Sequence, residues 1–226
     1  MPADFAEGET ILIDKPLDWT SFDVVRKIRS LVRIPKVGHA GTLDPLATGL
    51  LIVCTGKFTK RINTYMGMEK EYTGSIALGA TTPSFDLETE PGNFADAAHI
   101  TLEQARQAAQ QFTGDIMQTP PQFSAIKKDG KRLYLSARKG VEVKLDPRPV
   151  KVSAFEIIQI EDAKIQFRIV CSTGTYIRTL ANDLGAALGV GGYLAGLRRT
   201  RIGEFSVEDA DTMTAFEQRI RSNNEG

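Results

Sequence analysis

The sequence has only two cysteines, two histidines and one tryptophan, and its formal charges sum to zero. Cys54 and Cys171 lie in apolar, strand-like contexts, which favours buried, reduced thiols in a cytoplasmic protein over a disulfide framework. With His39 and His99 as the only histidines, no zinc-ligand spacing exists. No apolar run approaches the length of a membrane span, and the acidic N-terminus lacks the apolar core of a secretory signal.

The zero net charge hides an uneven distribution. Lys127 to Lys151 holds nine basic residues against three acidic ones, whereas Thr81 to Gln104 holds five acidic residues and no basic one. A polyanion responds to the local field rather than to the sum of charges. Charge alone therefore leaves two interpretations of the basic segment open, a nucleic-acid contact and a solvated hairpin.

Helices and strands alternate irregularly along the 226 residues, which predicts an α+β protein. Ser21 is expected to cap the first helix, which runs through Val32, and Thr101 to cap the second. Pro83 to Asp96 is the segment that we expect to be mobile. The predicted strands are Thr10–Asp14, Leu50–Val53, Tyr72–Gly79, Val150–Ile160, Ala163–Ser172 and Tyr193–Phe205, and the predicted helices are 21–32, Thr101–Phe112, Thr175–Leu188 and Thr212–Arg221.

A glycine-punctuated loop from Gly38 to Gly49 carries one carboxylate, Asp44, directly before an apolar run. Asp44 precedes Pro45, which pushes its backbone toward extended geometry. An Asp on such a loop serves as a nucleophile, a general base or a metal ligand, and spacing does not choose among these roles. The loop lacks the Gly-Lys-Ser/Thr of a P-loop and the Asp-x-Asp of haloacid-dehalogenase phosphatases, so metal-assisted phosphoryl transfer fits poorly.

A second cluster runs from Val170 to Gly185, where a strand ends, Gly174 turns the chain and a helix begins at Thr175. Arg178 is predicted in the first turn of that helix, where the helix dipole favours anions. A cation at this end needs a specific partner, such as a carboxylate or a phosphate. The alternative is an ordinary surface salt bridge.

The whole pattern resembles one family, the bacterial TruB family of tRNA pseudouridine-55 synthases. The resemblance spans residues 10 to 206 and includes the motifs Gly38–Leu50 and Cys171–Leu184, within which the two specific blocks are Gly38–Gly49 and Gly174–Leu180. It implies a pseudouridine-synthase fold, with a mixed, mainly antiparallel sheet flanked by helices and a central RNA-binding cleft. It also implies one catalytic domain over residues 1–226. The other matching motifs are Asp14-Lys15-Pro16 with Thr20-Ser21, Lys70-Glu71-Tyr72, Ser124–Lys127 with Leu133-Tyr134, and Leu197-Arg198-Arg199.

The resemblance also implies roles for individual residues. Asp44 matches the catalytic nucleophile, and Arg178 matches the arginine that pairs with it and keeps it charged. Tyr72 matches the tyrosine that stacks on the target base, where the residue pattern alone favours an ordinary core tyrosine. His39 matches the histidine that enters the T loop as the nucleotide leaves the stack.

Three further residues are implied to lie around the substrate. Tyr176 and Leu197 match residues that line the uridine pocket. Lys15, with Pro16, matches a supporting motif behind the active site, and a plain strand-to-loop turn is nearly as good an explanation of that pair.

The implied reaction detaches uracil from C1′ of the ribose, turns the base and rejoins it through C5. Attack at C1′, attack at C6 and elimination to a glycal all remain open as the first step. The isomerisation requires no cofactor and no metal. The implied partner is the T stem-loop of tRNA, bound by a cytoplasmic monomer with no obligatory protein partner. The expected phosphate contacts are Lys127–Lys151, the arginines of the first helix, Arg198, Arg199 and Arg201.

Two departures from the family are visible. Asp18 stands where the family usually has glycine, and the turn is expected to survive because Asp tolerates left-handed geometry. The chain also ends too soon after Phe205 for the C-terminal RNA-binding PUA domain of longer members, so we expect either a short form or a truncated sequence. The competing hypothesis is an RNA chaperone that remodels the T arm without catalysis.

Overall fold

The structure, a computed structural model, describes residues 4–123, 127–128, 131–132 and 143–225. The chain divides into two compact units. The first comprises residues 1–73 and 197–226, and the second comprises residues 74–196. The α+β prediction is confirmed, while the prediction of one catalytic domain stays a prediction.

The described elements follow in chain order. The helices are α1 (Ser21–Val32), α2 (Ile62–Gly67), α3 (Leu102–Gln110), α4 (Ile177–Ala187) and α5 (Met213–Glu225), with 3-10 helices at Gly56–Arg61 and Val207–Asp209. The strands are β1 (Thr10–Lys15), β2 (Val37–His39), β3 (Ala47–Thr55), β4 (Lys70–Leu78), β5 (Gly114–Gln118), β6 (Lys127–Lys128), β7 (Lys131–Arg132), β8 (Arg148–Glu161), β9 (Lys164–Cys171), β10 (Gly192–Ile202), β11 (Phe205–Ser206) and β12 (Asp211–Thr212).

The sheet of the first unit has the order β12-β1-β3-β10-β4, to which β4 and β10 contribute the residues that belong to this unit. Strand β3 is antiparallel to β1 and β2, and parallel to β10. Within the second unit the strand order is β10-β4-β9-β8-β5, with antiparallel β5-β8 and β8-β9 pairs. The strand pairing is therefore mainly antiparallel, as predicted.

Strand β3 is buried on both faces, which explains its unbroken apolar run. Leu51 and Val53 pack with α1 and α5 residues in one cluster, whereas Leu50, Ile52 and Cys54 pack in another. Alternate side chains of a strand point to opposite faces, so a continuous apolar run marks a strand covered on both sides. The Cys54 thiol lies in this core, and burial raises its pKa to about 11.

The first helix begins as predicted, but Thr20 rather than Ser21 caps it. The Thr20 side chain accepts from the N–H of Asp23, and the Asp23 carboxylate accepts in return from the N–H of Thr20. This reciprocal capping box satisfies two N–H groups that the helix itself leaves open. The hydroxyl of Ser21 is therefore available for another contact.

In the second unit, β8 and β9, which correspond to two predicted strands, form a hairpin around the turn at Asp162 and Ala163. Their inward side chains alternate with exposed ones, and the rings of Phe155 and Phe167 meet edge to face at 6.2 Å. Helix α3 packs on β8, and its cap at Thr101 is confirmed.

Some elements escaped the sequence analysis. The 3-10 helix at Gly56–Arg61, α2 and β5 were not predicted, because short elements carry little periodicity and depend on packing. The predicted strand Tyr193–Phe205 is interrupted where Gly203 adopts φ +54°, after which β11 folds back onto β10. Residues 129–130 and 133–142 of the basic segment Lys127–Lys151 lie outside the described residues.

Among the described residues of the first unit, the two most deeply buried cations are Lys15 and Arg199. Lys15 is fully buried and Arg199 is 1% exposed. Burial lowers the pKa of Lys15 to about 8, an effect that the negative charge of Asp44 opposes. Both cations donate to backbone carbonyl groups, which compensates part of the cost of removing them from water.

Gly49 should not tolerate a side chain. Its φ is +100°, and a Cβ atom would lie 2.2 Å from the carbonyl oxygen of Arg199 on β10. Backbone strain and overpacking add, so Gly49→Ala is expected to lower the free energy of unfolding by about 2–4 kcal/mol, measured by urea denaturation. Gly67→Ala is the matched control, because open space surrounds Gly67. Equal stability of the two variants would contradict the close approach of β3 and β10.

Lys15 predicts a pH dependence of stability. Its pKa is about 8 in the folded protein and 10.5 for an ordinary lysine, so between these values the unfolded chain binds more protons and stability rises with pH. The stability of the wild type relative to Lys15→Met should therefore increase from about pH 7 to about pH 10 in urea titrations. Lys60→Met, which removes an exposed lysine, should show a flat difference. If the difference in the free energy of unfolding between the wild type and Lys15→Met does not change with pH either, burial does not destabilise the charged amine of Lys15.

Candidate functional site

The loop that carries Asp44 connects β2 to β3 in the first unit. After His39 the chain leaves β2, and Ala40 still donates to the carbonyl of Ile52 at 2.8 Å. The N–H of Ala47 donates to the carbonyl of Asp44 at 3.0 Å, which closes a turn at the start of β3. Asp44 thus lies at the tip of a short connection whose two ends belong to the same sheet.

Hydrogen bonds from outside the loop fix both neighbours of Asp44. The hydroxyl of Ser21 accepts from the N–H of Leu43 at 2.8 Å and donates to its carbonyl at 3.1 Å. On the other side, the carbonyl of Pro45 accepts from the N–H of Asp18 at 3.0 Å. The peptide groups before and after Asp44 are therefore held by different elements.

Asp18 confirms the expectation that the turn survives without glycine. Its φ is +63°, in the left-handed region that Asp adopts more easily than most residues. In this conformation its N–H points to the carbonyl of Pro45. Asp18 therefore adopts the left-handed turn and contacts the loop through its own N–H.

Arg199 corrects one sequence prediction. The sequence predicted that Arg199 contacts phosphates, but its side chain is buried and donates hydrogen bonds to the backbone at both ends of the Asp44 loop. Its Nε donates to the carbonyl of Leu50 at 2.7 Å and its Nη2 to that of Gly41 at 3.2 Å. These acceptors lie on the two sides of Asp44, so one guanidinium ties the beginning of the loop to the strand that follows it.

Lys15 lies at the end of β1 and its side chain reaches the same loop, while its supporting role behind an active site stays a prediction. Its Nζ donates to the carbonyls of Pro16 at 2.9 Å and Trp19 at 2.5 Å. It also donates, at a longer distance of 3.4 Å, to the carbonyl of Pro45. Its positive charge interacts favourably with Asp44. A cation on this side favours the ionised form of that carboxylate.

His39 is half-buried at the end of β2. Burial lowers its pKa, and the positive charge of Arg199 lowers it further. Its Nδ1 atom is buried and has no hydrogen-bond partner within the part of the chain that the structure describes. The structure therefore presents a histidine that favours the neutral form beside the Asp44 loop.

Tyr72 and Leu197 are placed differently relative to this loop. Leu197 on β10 lies opposite Ala47 in the parallel ladder, so the structure brings it to the exit of the Asp44 loop. Tyr72 lies on β4 and is 8% exposed. That burial suits a core tyrosine and also a ring whose face lines a closed pocket, so its stacking role stays a prediction.

Arg178 lies in the second unit, in the first turn of α4, as predicted. It is buried, so the surface salt bridge considered as an alternative is wrong. Its Nη1 donates to the carbonyl of Ser84 at 3.2 Å and its Nη2 to that of Phe123 at 2.9 Å. Its Nε lies 3.6 Å from Oδ2 of Asp86, which is also buried. Its pairing with Asp44 of the first unit stays a prediction.

Asp86 was missed by the sequence analysis. It lies in the acidic stretch 81–104, within the segment expected to be mobile, and nothing in that pattern separates it from solvated neighbours. Ser84 and Asp86 are nevertheless buried, and the Ser84 hydroxyl donates to the Asp86 carbonyl at 3.1 Å. Its burial and its contact with Arg178 distinguish this carboxylate from solvated ones, and both arise from the tertiary structure.

Tyr176 is the N-cap of α4 rather than a residue of its first turn. The buried side chain of Gln118 accepts from its N–H at 2.8 Å and donates to its carbonyl at 3.1 Å. The side-chain amide of Gln118 therefore pairs with both backbone polar groups of Tyr176 and fixes the backbone at the start of α4. The sequence analysis did not identify Gln118 as a site residue.

The two other arginines of β10 that were predicted to contact phosphates form ion pairs with carboxylates of this chain. Arg198 forms a bidentate salt bridge with Asp14, in which Nη1 lies 2.9 Å from Oδ1 and Nη2 lies 2.7 Å from Oδ2. Nη2 of Arg201 lies 3.7 Å from Oε1 of Glu69. In the same unit, exposed cations occur after α1 and in the 3-10 helix that follows β3. These are Arg33, Lys36, Lys60 and Arg61.

Among the described residues, no group of His, Cys, Asp and Glu side chains is arranged to hold a metal ion. The helices within those residues are all too short or too polar to cross a bilayer.

Comparison with known proteins gives matches over nearly the whole chain. A family model described as "TruB family pseudouridylate synthase (N terminal domain)" matches residues 29–177, and one described as "tRNA pseudouridylate synthase B C-terminal domain" matches residues 178–225. Proteins named tRNA pseudouridine synthase B are 50% identical in Flavobacterium johnsoniae, covering 97% of this chain and 99% of the relative, and 51% identical in Phocaeicola vulgatus, covering 94% and 93%.

Solved structures share the fold. The chain aligns with a chain of a Cbf5-Nop10-Gar1 complex at a TM-score of 0.74 and 32% identity, covering 95% of this chain and 54% of that one. It aligns equally with a chain of an H/ACA RNP bound to a substrate RNA containing 2′-deoxyuridine, at 27% identity, covering 98% and 56%. The chain thus spans about half the length of these structural relatives. Because the N-terminal model alone matches well over half of the sequence, the chain belongs to the TruB family of pseudouridylate synthases.

Proposed function

We propose that this protein isomerises uridine to pseudouridine at position 55 in the T loop of tRNA, with Asp44 as the nucleophile. The observation that carries this proposal is the constrained loop, in which both neighbours of Asp44 are held by hydrogen bonds and a buried ammonium group lies nearby. Relatives at 50% identity that carry the name tRNA pseudouridine synthase B support the substrate.

In the proposed reaction the bond between C1′ and N1 breaks, and a bond between C1′ and C5 forms. N1 gains a proton and C5 loses one, so no redox change occurs and atoms balance within the nucleotide. Asp44 acts in its ionised form, by attack at C1′ or C6 or as the base of a glycal route. The charge of Lys15 stabilises that ionised form.

The target nucleotide must leave the base stack to reach Asp44, at a cost of a few kcal/mol. We propose that Tyr72 stacks on the uracil, that Leu197 and Tyr176 line its pocket, and that His39 enters the T loop in its place. A half-buried imidazole that favours the neutral form fits that role, because it replaces a base without bringing an unpaired charge into the stack.

Binding of the T arm would rest mainly on shape and backbone contacts. The exposed cations Arg33, Lys36, Lys60 and Arg61 support this, together with the structural relative that holds a substrate RNA. We propose a monomer that acts in the cytoplasm without an obligatory protein partner. The second candidate function, a tRNA chaperone that remodels the T arm, needs this cationic surface but not Asp44.

Asp44→Asn is expected to lower the rate of pseudouridine formation by at least about 10³-fold, because the amide is a poor nucleophile and base. The readout is carbodiimide-stop mapping of an unmodified tRNA transcript, with tRNA affinity measured in parallel and expected to change by less than about threefold. Asp209→Asn is the matched control, since Asp209 is an exposed aspartate of the first unit. Substantial turnover by Asp44→Asn would remove Asp44 from the nucleophile role.

The wild type and Asp44→Asn also separate the two candidate functions. A chaperone that acts without catalysis would refold tRNA equally well with or without the Asp44→Asn substitution, and its wild type would leave the T-loop uridine unchanged. An isomerase yields pseudouridine only when the carboxylate is present.

Arg178→Lys is expected to slow the reaction by roughly 10²-fold although the charge is kept, because lysine cannot reproduce the contacts with Ser84, Phe123 and Asp86. The measurement is the single-turnover rate at saturating tRNA. Arg168→Lys provides the control, because Arg168 pairs with Glu156 at the surface. If both lysine variants react at the wild-type rate, the geometry of the Arg178 guanidinium does not matter for the reaction.

A further inference from the structure

We propose that Ser21 is a positioning residue that holds Asp44 in its reactive orientation, an inference that rests on the proposed role of Asp44. The Ser21 hydroxyl binds both the N–H and the carbonyl of Leu43, the residue directly before Asp44. Ser21 is 2% exposed and Leu43 is 3% exposed. Water therefore cannot replace the hydroxyl without opening the loop.

The contact acts on Asp44 through the peptide plane that the two residues share. Fixing the carbonyl of Leu43 fixes the orientation of the N–H of Asp44, because the peptide group is planar. On the other side, Pro45 restricts the backbone of Asp44 and its carbonyl is bound by Asp18. With both peptide planes set, the direction in which the carboxylate leaves the backbone is set as well.

The helix does not need the Ser21 hydroxyl for its own stability. Thr20 supplies the cap, and Ser21 is the first residue of α1, with its side chain bonded to a residue 22 positions further along the chain. Two adjacent hydroxyl groups at one helix start thus have different partners, one within the helix and the other at the catalytic loop. This difference allows a matched pair of variants.

Ser21→Ala should lower the single-turnover rate at saturating tRNA by roughly 10- to 100-fold, since small misplacements of reacting groups have effects of this size. The rate is followed by the loss of tritium from C5 of labelled uridine. Affinity for tRNA should stay within about twofold of the wild type. Ser21→Thr, which keeps the hydroxyl, should recover most of the rate.

Thr20→Ala is the control, because it removes the neighbouring hydroxyl and weakens the cap of α1 without touching the loop. It should lower the melting temperature and leave the single-turnover rate of the folded enzyme unchanged. If Ser21→Ala and Thr20→Ala react equally fast, Ser21 has only a structural role and the proposal is wrong.

Amide hydrogen exchange tests the clamp without reference to activity. The amide of Leu43 should exchange faster in Ser21→Ala than in the wild type, but not in Thr20→Ala. An inactive wild type would overturn the proposed function while this exchange result still decides the clamp. Should Ser21→Ala not fold, Ser21→Cys replaces it in both measurements, and a wild-type rate together with wild-type exchange for that variant would overturn the proposal.

Discussion

The loop around Asp44 is held in shape by buried side-chain donors that reach its backbone. It has no ladder of its own between His39 and Ala47, so its carbonyl and N–H groups must find partners elsewhere. Ser21 binds the residue before Asp44, and Lys15 and Arg199 reach carbonyls on either side of it. The rest of the first unit serves to bury these donors beside the loop.

Burying donors in this way has a consequence for stability. A cation in the core is costly to remove from water, and the lowered pKa of Lys15 reflects that cost. A neutral side chain in place of Lys15 would have a smaller desolvation cost, but it would not favour a negative charge on Asp44. The first unit therefore keeps a costly electrostatic arrangement where the proposed chemistry needs an ionised Asp44.

In the second unit, too, polar side chains form hydrogen bonds with backbone groups, here through Arg178 and Gln118. Arg178 donates to two backbone carbonyls, and Gln118 binds both polar groups of the Tyr176 backbone. In each unit a polar side chain reaches the main chain next to a residue that the proposed mechanism uses. Such contacts hold backbone and side chain together more narrowly than apolar packing, because hydrogen bonds are directional.

Local pattern determined much of this protein. The unbroken apolar run of β3, the alternation in β8 and β9, the cap at Thr101 and the motif blocks around Asp44 and Arg178 were all legible in the sequence, because each depends on neighbours along the chain. Tertiary structure alone decided that Arg199 faces inward, that the hydroxyl of Ser21 binds Leu43, and that Asp86 lies buried beside Arg178. These outcomes depend on which groups lie opposite one another after folding, and periodicity carries no record of contacts between residues 149 or 92 positions apart, such as Arg199 with Leu50 and Arg178 with Asp86.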